Sequence, residues 1–374
     1  MSSHRAFHWA YGGDVTAEKI AHFLILNPQC PRSLITCADG LVTHLERLDR
    51  GYRRNSTART QARSLLAELA ETKVEEIIDE GLHEFLSRFI LQTGKLATQI
   101  HESSLMLLTV DHVTRYRYSQ PVRGVVQSHR LTPSSYDGQH IVNWDVTVTD
   151  GLRGGNFKDG AGDHVQAWTV QGPVSEIVVA VRGTVRTRDT TGILRRHKER
   201  VPPECYLQAT PATQADEGLA ALSDEAEMRS GSLAAAHRLA AAVADAIAYA
   251  PGTTHAATTG AEALALGMGV CQDHAHALIG AACHAGIPAR YVSGYLHATS
   301  DGTMHEAAHA WAELYLPDMG WVGFDPANRC CPDERYIRLG SGLDAVDAAP
   351  IKGIARSPGN ESLDVRVAVQ QSEQ

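Results

Sequence analysis

The chain has 374 residues, of which 43% are hydrophobic, and a formal net charge of −9 at pH 7. This length indicates two or three domains, and the acidic balance argues against nucleic acid as a main partner. No apolar run reaches the ~20 residues that a membrane helix needs, so we expect no membrane partner. Seven cysteines at irregular spacing indicate reduced thiols and a cytoplasmic protein rather than a disulfide framework.

The first hundred residues carry apolar stripes at helical spacing between residues 14 and 104, which predict an all-α appendage. No pair of carboxylates or histidines in this stretch has ligand spacing that stands out. Residues 23–28 and 31–33 resemble the C-terminal part of the bacterial alpha-E helical domain. That resemblance implies a helical fragment without an enzymatic role, so we interpret residues 1–104 as a packing module or a surface for a protein partner.

A change in composition at Leu105 marks the beginning of a β module. Short runs of strand-forming residues follow one another and are separated by Gly/Asp turns, a pattern typical of a β-sandwich. Pro121 is expected to end the first strand. The runs are residues 107–118, 125–132, 141–148, 164–170 and 175–188. A proline-rich linker and an alanine-rich helical segment at 219–249 come next.

Cys271 follows two glycines and opens a helical pattern. The apolar residues Ala275, Leu278, Ile279 and Ala282 fall on one helix face. Gly286 provides a stop. Cys271 therefore lies at a helix N-terminus, where unpaired backbone N–H groups and the positive end of the dipole favour an anion such as a thiolate.

Residues 309–326 read as a β-hairpin that His309 enters and Asp325 leaves. A turn centred on Pro317 sets His309 opposite Asp325. A four-residue loop at 317–320 instead places the two side chains on opposite faces, unless a bulge, for example at Gly323, restores a common face. Both registers remain open at this stage, and the chain order is Cys, His, Asp in either.

Cys271, His309 and Asp325 are the residue types that nucleophilic acyl transfer requires. The cysteine attacks a carbonyl, the histidine takes and returns the proton, and the aspartate orients the imidazole. The backbone N–H of Cys271 is a candidate donor to the oxyanion. We predict these three residues as catalytic and expect neither a metal nor a cofactor.

Three further residues are candidates for substrate binding. Trp311 lies two residues after His309 and Trp321 four residues before Asp325, so both are candidates to line an acyl groove or to pack in the core. Asp273 is a candidate to orient a substrate amine or to stabilise the helix start.

Four segments in order, residues 269–274, 286–295, 309–313 and 321–328, resemble the transglutaminase-like superfamily. Residues 105–188 resemble the β domain that precedes this core in bacterial members, and residues 350–353 and 363–367 resemble their closing segment. The resemblance implies a papain-like α+β core with its triad at Cys271, His309 and Asp325. It leaves the reaction open, because members include cross-linking enzymes, proteases, deglycosylating amidases and inactive relatives.

These observations predict an α+β protein with three parts. Residues 1–104 form the all-α appendage, residues 105–190 the β-sandwich-like module, and residues 191–374 the papain-like transglutaminase core with a final strand. The expected activity is thiol-dependent acyl transfer on amide or isopeptide bonds of a protein or peptide. Ala310, Ala312 and Gly323 indicate an open cleft, which favours hydrolysis, as in a cysteine protease or amidase, over cross-linking by a protein-glutamine transglutaminase.

Two other classes of function remain. His305, Glu306 and His309 match the H-E-x-x-H pattern of zinc peptidases, whose two histidines share one face of a helix. The strand-like run from Trp311 argues against that helix. A non-catalytic binding module is the other alternative, because a fold alone does not imply activity.

Overall fold

We describe a computed structural model of the chain, which covers residues 105–297, 307–317, 319–355 and 359–372. The chain divides at Leu105, and all of these residues belong to the second unit, Leu105–Gln374. The helices predicted for residues 14–104 lie outside the described residues. Elements are numbered from Leu105 onward, and none of the described helices is long and apolar enough to cross a membrane.

Two long strands form the centre of the β module. β1 (Leu105–His129) and β4 (His164–Arg188) each have 25 residues and pair antiparallel along their whole length. The prediction that Pro121 ends a strand is wrong: β1 continues past it, with the register shifting between Arg117 and Gly124. A bulge there accommodates a residue without an N–H and bends the strand.

The bend gives the six-stranded sheet two halves that share β1 and β4. β12 (Glu361–Gln371) and β2 (Gln139–Val148) flank the first half, and β11 (Ile351–Ala355) and β3 (Gly151–Lys158) flank the second. Side chains from both halves pack in one buried cluster, for example Ile177 and Val179 from one and Val125 and Trp168 from the other. This arrangement confirms the sandwich-like interpretation.

The chain returns to the β module at its C-terminal end. β11 and β12 pair with β1 antiparallel, from Val125↔Ala355 to Leu108↔Gln371. The predicted final strand is therefore present as β12, and it completes the sheet that β1 begins. The remaining segment, called the core segment below, lies between β4 and β11 in the sequence.

The core segment consists of a small sheet covered by helices. The sheet is antiparallel with the order β10-β7-β8-β9. Its strands are β7 (Ala289–Leu296), β8 (Ala308–Leu316), β9 (Gly320–Phe324) and β10 (Tyr336–Gly342). The helices are α1 (Glu217–Glu225), α2 (Leu233–Ala246), α3 (Gly260–Leu266) and α4 (Cys271–His284). A short parallel pair, β5 (Ala248–Tyr249) and β6 (Met268–Gly269), leads into α4.

α4 is the central helix of this segment. Every residue from Asp273 to Ala282 is buried, and the helix packs against β7, β8 and the other three helices. The predicted apolar face is confirmed, and Gly286 follows the helix with φ +81°. The helix is buried on all sides because helices cover it opposite the sheet, which explains why His274 and His276 are also inside.

A buried ionic network joins the β module to the four-stranded sheet of the core segment. Arg338 on β10 donates to Asp163, which precedes β4, and to Glu313 on β8. Glu313 also accepts from Arg290 on β7 at 2.7 Å, and Arg290 donates to Glu199 in the segment after β4. Arg290 and Arg338 are at most 1% exposed. The carboxylates must therefore offset the free energy cost of removing each guanidinium charge from water.

Candidate active site

Cys271 is the first residue of α4 and is half-buried. The helix start is held by Asp273, whose Oδ2 accepts from the backbone N–H of Val270 at 2.8 Å and from the Thr254 hydroxyl at 2.6 Å. Gly269 lies so close to Asp273 that a Cβ added to Gly269 would be 2.8 Å from Asp273 Cβ. These contacts fix the turn that presents the thiol where the first backbone N–H groups of the helix lack intrahelical partners.

The register of the β8–β9 hairpin places His309 and Asp325 on one face. The strands pair from Leu316↔Gly320 to Ala312↔Phe324 without a bulge, so neither of the two registers predicted from the sequence is correct. Extending this pairing by one residue puts Asp325 opposite Trp311, two residues from His309 on the same face of the strand. The two side chains therefore meet diagonally across the hairpin.

His309 Nε2 lies 2.6 Å from Asp325 Oδ2, and both side chains are buried. An ionised carboxylate only accepts hydrogen bonds, so Nε2 is the nitrogen that carries the proton toward Asp325. Nδ1 is then the nitrogen available to the Cys271 thiol, with which His309 has hydrogen-bonding and coulombic interactions. The order thiol, imidazole, carboxylate is that of a nucleophile, its base and the group that orients the base.

Two further side chains hold Asp325. Asn328 donates through Nδ2 to Asp325 Oδ2 at 2.7 Å and through its backbone N–H to Oδ1 at 3.2 Å. The Tyr336 hydroxyl donates to Oδ2 at 2.7 Å. Sequence reasoning missed both. Asn328 carried a signal, because an aspartate side chain often accepts the backbone N–H of a residue two or three positions later. Tyr336 reaches the site from another strand and carried no such signal.

The electrostatics of the pair follow from these contacts. Burial opposes the imidazolium, but Asp325 and the Cys271 thiol outweigh it and raise the pKa of His309 above its ordinary value. Burial likewise opposes the Asp325 carboxylate, yet His309, Asn328 and Tyr336 together lower its pKa. Both partners are thus stabilised in their charged forms, which suits a thiolate–imidazolium pair.

The residues predicted to bind substrate occupy structural positions. Trp311 is 2% exposed and packs against Tyr336, and its ring covers Gly294, where any Cβ would lie within 2.6 Å of it. Trp321 is 4% exposed and lies under the Arg290 guanidinium at 3.9 Å. Asp273 is fully buried at the helix start. Neither indole presents an open face to a substrate, because the packing on both sides of the sheet covers it.

The zinc alternative rests on residues that the structure describes only in part. His305 and Glu306 lie outside the described residues. His309 lies on strand β8 rather than on a helix, and its Nε2 is engaged by Asp325. Within the described ranges, no group of three or more metal-ligating side chains is assembled.

Three family models match the chain. Residues 1–104 match Alpha-E, a predicted alpha-helical domain with a conserved ER motif. Residues 108–186 match the bacterial transglutaminase-like N-terminal region, and residues 220–326 match the transglutaminase-like superfamily core. An uncharacterised protein of Mycobacterium leprae (strain TN) is 31% identical over 280 residues, which cover 70% of this chain and 98% of that protein. The chain belongs to the transglutaminase-like superfamily.

Two other relatives bear on fold and chemistry. The solved structure of a candidate cysteine protease from Cytophaga hutchinsonii superimposes with a TM-score of 0.55 at 20% identity, covering 72% of this chain and 92% of that one. The protein-glutamine gamma-glutamyltransferase of Pseudomonas aeruginosa (strain PAO1) is 32% identical over 100 residues, or 24% of this chain and 14% of that protein. The papain-like α+β fold is thereby confirmed, and the family supports thiol-dependent catalysis in broad terms.

Proposed function

We propose that this protein is a thiol-dependent hydrolase of amide or isopeptide bonds in proteins or peptides, with Cys271, His309 and Asp325 as its triad. The 2.6 Å bond between His309 Nε2 and Asp325 carries the proposal, because it leaves Nδ1 for the thiol at the start of α4. The non-catalytic alternative would require a missing member of this set, and all three are present.

The chemistry runs in two steps. The Cys271 thiolate attacks the carbonyl carbon, the oxyanion collapses, and the imidazolium of His309 gives its proton to the leaving amine, which leaves a thioester. Water then attacks the thioester while His309 takes its proton, and the departure of the thiolate yields the acid. The backbone N–H of Cys271 is placed at the helix start to stabilise the oxyanion in both steps.

Alkylation of the cysteines by iodoacetamide tests the nucleophile. Cys271 is expected to react fastest near neutral pH, because it is half-buried beside an imidazolium. Burial raises the pKa of Cys283 to about 11 and that of Cys330 to about 12, so both should react slowly. Peptide mapping by mass spectrometry after timed quenching measures the order. Cys271 found among the slow thiols would refute the assignment.

Cross-linking is the second candidate, because the Pseudomonas aeruginosa gamma-glutamyltransferase is 32% identical to this chain over 100 residues. Cross-linking differs from hydrolysis only in that an amine, instead of water, attacks the thioester. A transferase needs a dry channel that seats the amine ahead of water, and the buried Trp311 and Trp321 do not line one. Hydrolysis is therefore the better-supported outcome.

Whether water or an amine consumes the thioester distinguishes hydrolysis from cross-linking. The protein loaded with an activated acyl ester in the presence of excess lysine-like amine is expected to release mainly acid, since the buried indoles of Trp311 and Trp321 do not form walls that keep water from the thioester. Mass spectrometry counts acid and amide products. A majority of amide at modest amine concentration would identify a transferase while leaving the triad unchanged.

A further inference from the structure

Asp325 Oδ2 is the most crowded acceptor of the site. It lies within 2.7 Å of three donors: His309 Nε2, Asn328 Nδ2 and the Tyr336 hydroxyl. Oδ1 accepts the backbone N–H of Asn328. A carboxylate offers about four acceptor positions, so these four contacts occupy its capacity and leave it little freedom to rotate.

The donors come from three separate parts of the fold. His309 lies on β8 and Tyr336 on β10, while Asn328 lies in the loop after β9. Cys330 in that loop closes it by exchanging backbone hydrogen bonds with Asp325 in both directions, at 2.8 and 3.2 Å. The carboxylate is therefore held from several directions at once, and motion of any single element does not release it.

We propose that Asn328 and Tyr336 are positioning residues of the triad, which hold the Asp325 carboxylate so that His309 keeps Nε2 on Asp325 and Nδ1 toward Cys271. This inference rests on the proposed function. Tyr336 acts through Asp325. Asn328 Nδ2 lies 2.7 Å from Asp325 Oδ2 and 3.2 Å from His309 Nε2, so Asn328 contacts both members of the pair. A hydrogen bond to a charged group contributes ~1.5–3 kcal/mol, so each has a measurable influence on how the carboxylate interacts with the imidazole.

The direction of that influence follows from charge. Asn328 and Tyr336 donate hydrogen bonds that partly neutralise the negative charge on Oδ2. Removing one of them strengthens the attraction between the carboxylate and the imidazolium, so His309 should keep its proton to higher pH. Removing the charge itself has the opposite effect. The described titratable and charged groups around this centre are Cys271 on α4, Tyr336 on β10, and Cys330, Asp333 and Arg335 in the loop between β9 and β10. Arg335 is paired with Asp333 at 2.6 Å, so no isolated charge among them competes with Asp325.

The rate of Cys271 alkylation by iodoacetate as a function of pH tests the inference without a known substrate. The thiolate displaces iodide from the CH₂ carbon, and the imidazolium attracts the reagent's carboxylate. The rate should therefore rise as the ion pair forms and fall when His309 loses its proton. In Tyr336→Phe and in Asn328→Ala we expect this alkaline fall to move up by ~0.5 pH unit or more. In Asp325→Asn it should move down.

Tyr315→Phe is the matched control, because Tyr315 lies on β8 and packs against Trp321, away from Asp325. Its profile should coincide with that of the wild-type protein. If Tyr336→Phe and Asn328→Ala also coincide with the wild type, or move down like Asp325→Asn, the positioning role is overturned. A wild-type profile without an alkaline fall would instead overturn the proposed triad, so the two failures are distinguishable.

Discussion

Replacing Cys271 by alanine is expected to abolish formation of a covalent acyl-enzyme and to lower esterase or amidase turnover at least ~10³-fold, because Cys271 is the thiol that the proposed mechanism acylates. The experiment is incubation with an activated acyl ester, followed by intact-mass spectrometry of the protein. The wild-type chain should gain one acyl group per molecule, and Cys271→Ala should gain none.

Cys283→Ala is the control for this experiment, since Cys283 lies on the same helix and its thiol donates to the backbone carbonyl of Tyr206. It should acylate as the wild type does. Addition of a chelator should change neither result, whereas a strong loss of turnover on chelation would favour the zinc alternative at His305, Glu306 and His309. Acylation that persists at another residue in Cys271→Ala would contradict the assignment of the nucleophile.

Arg338→Met is expected to destabilise the fold by ~3–5 kcal/mol, because it leaves the buried Asp163 carboxylate without its cationic partner and leaves Glu313 with Arg290 alone. Asp163 and Glu313 are both nearly inaccessible to solvent, and Arg338 donates to each. The midpoint and slope of urea unfolding, followed by circular dichroism, give the free energy of unfolding.

Arg366→Met provides the matched control, because the Arg366 side chain is 82% exposed and lies 3.6 Å from Asp364. Exposed ion pairs contribute at most ~1 kcal/mol, so this variant should unfold close to the wild type. Equal losses in Arg338→Met and Arg366→Met would mean that the buried network contributes no more than a surface pair.

The same network predicts how stability depends on pH. Burial opposes ionisation of Glu313 and Asp163, but Arg338 and Arg290 lower the pKa of each to about 2. Because both folded-state pKa values lie below those of the unfolded chain, their contribution is present above the unfolded values and is lost as pH falls through about 2. The free energy of unfolding should therefore decrease on acidification, and less steeply in Arg338→Met.

The sequence was sufficient to predict the parts of the site that local patterns encode. The helix at Cys271 follows from apolar spacing and flanking glycines, and the hairpin follows from two strand-like runs around a turn. The register of the hairpin could not be predicted in the same way. The strands close with the pair Leu316↔Gly320, whereas one predicted register pairs Leu316 with Trp321 and the other sets His309 opposite Asp325. That offset is set by pairing of whole strands and by Gly320 with φ +76°.

Contacts between distant elements were beyond the reach of the sequence. The Tyr336 hydroxyl reaches Asp325 although β10 and β9 lie at opposite edges of the sheet, a contact that no local sequence pattern encodes. The burial of Trp311 depends on Gly294 across the strand and on Tyr336 beside it. An aromatic residue next to a catalytic histidine has the same pattern whether it packs in the core or lines a groove, so only the fold distinguishes the two.

The return of the C-terminal strands to β1 determines when the protein can acquire its native structure during synthesis. β1 pairs with β11 and β12, roughly 250 residues later in the chain, and contacts of such long range form slowly. At ~5–20 residues per second, a ribosome needs on the order of 10–50 s to translate that interval. Until then one flank of β1 has no partner strand, and an unpaired flank is a surface on which nascent chains aggregate. We therefore expect a chaperone that shields exposed strands to increase the yield of this protein.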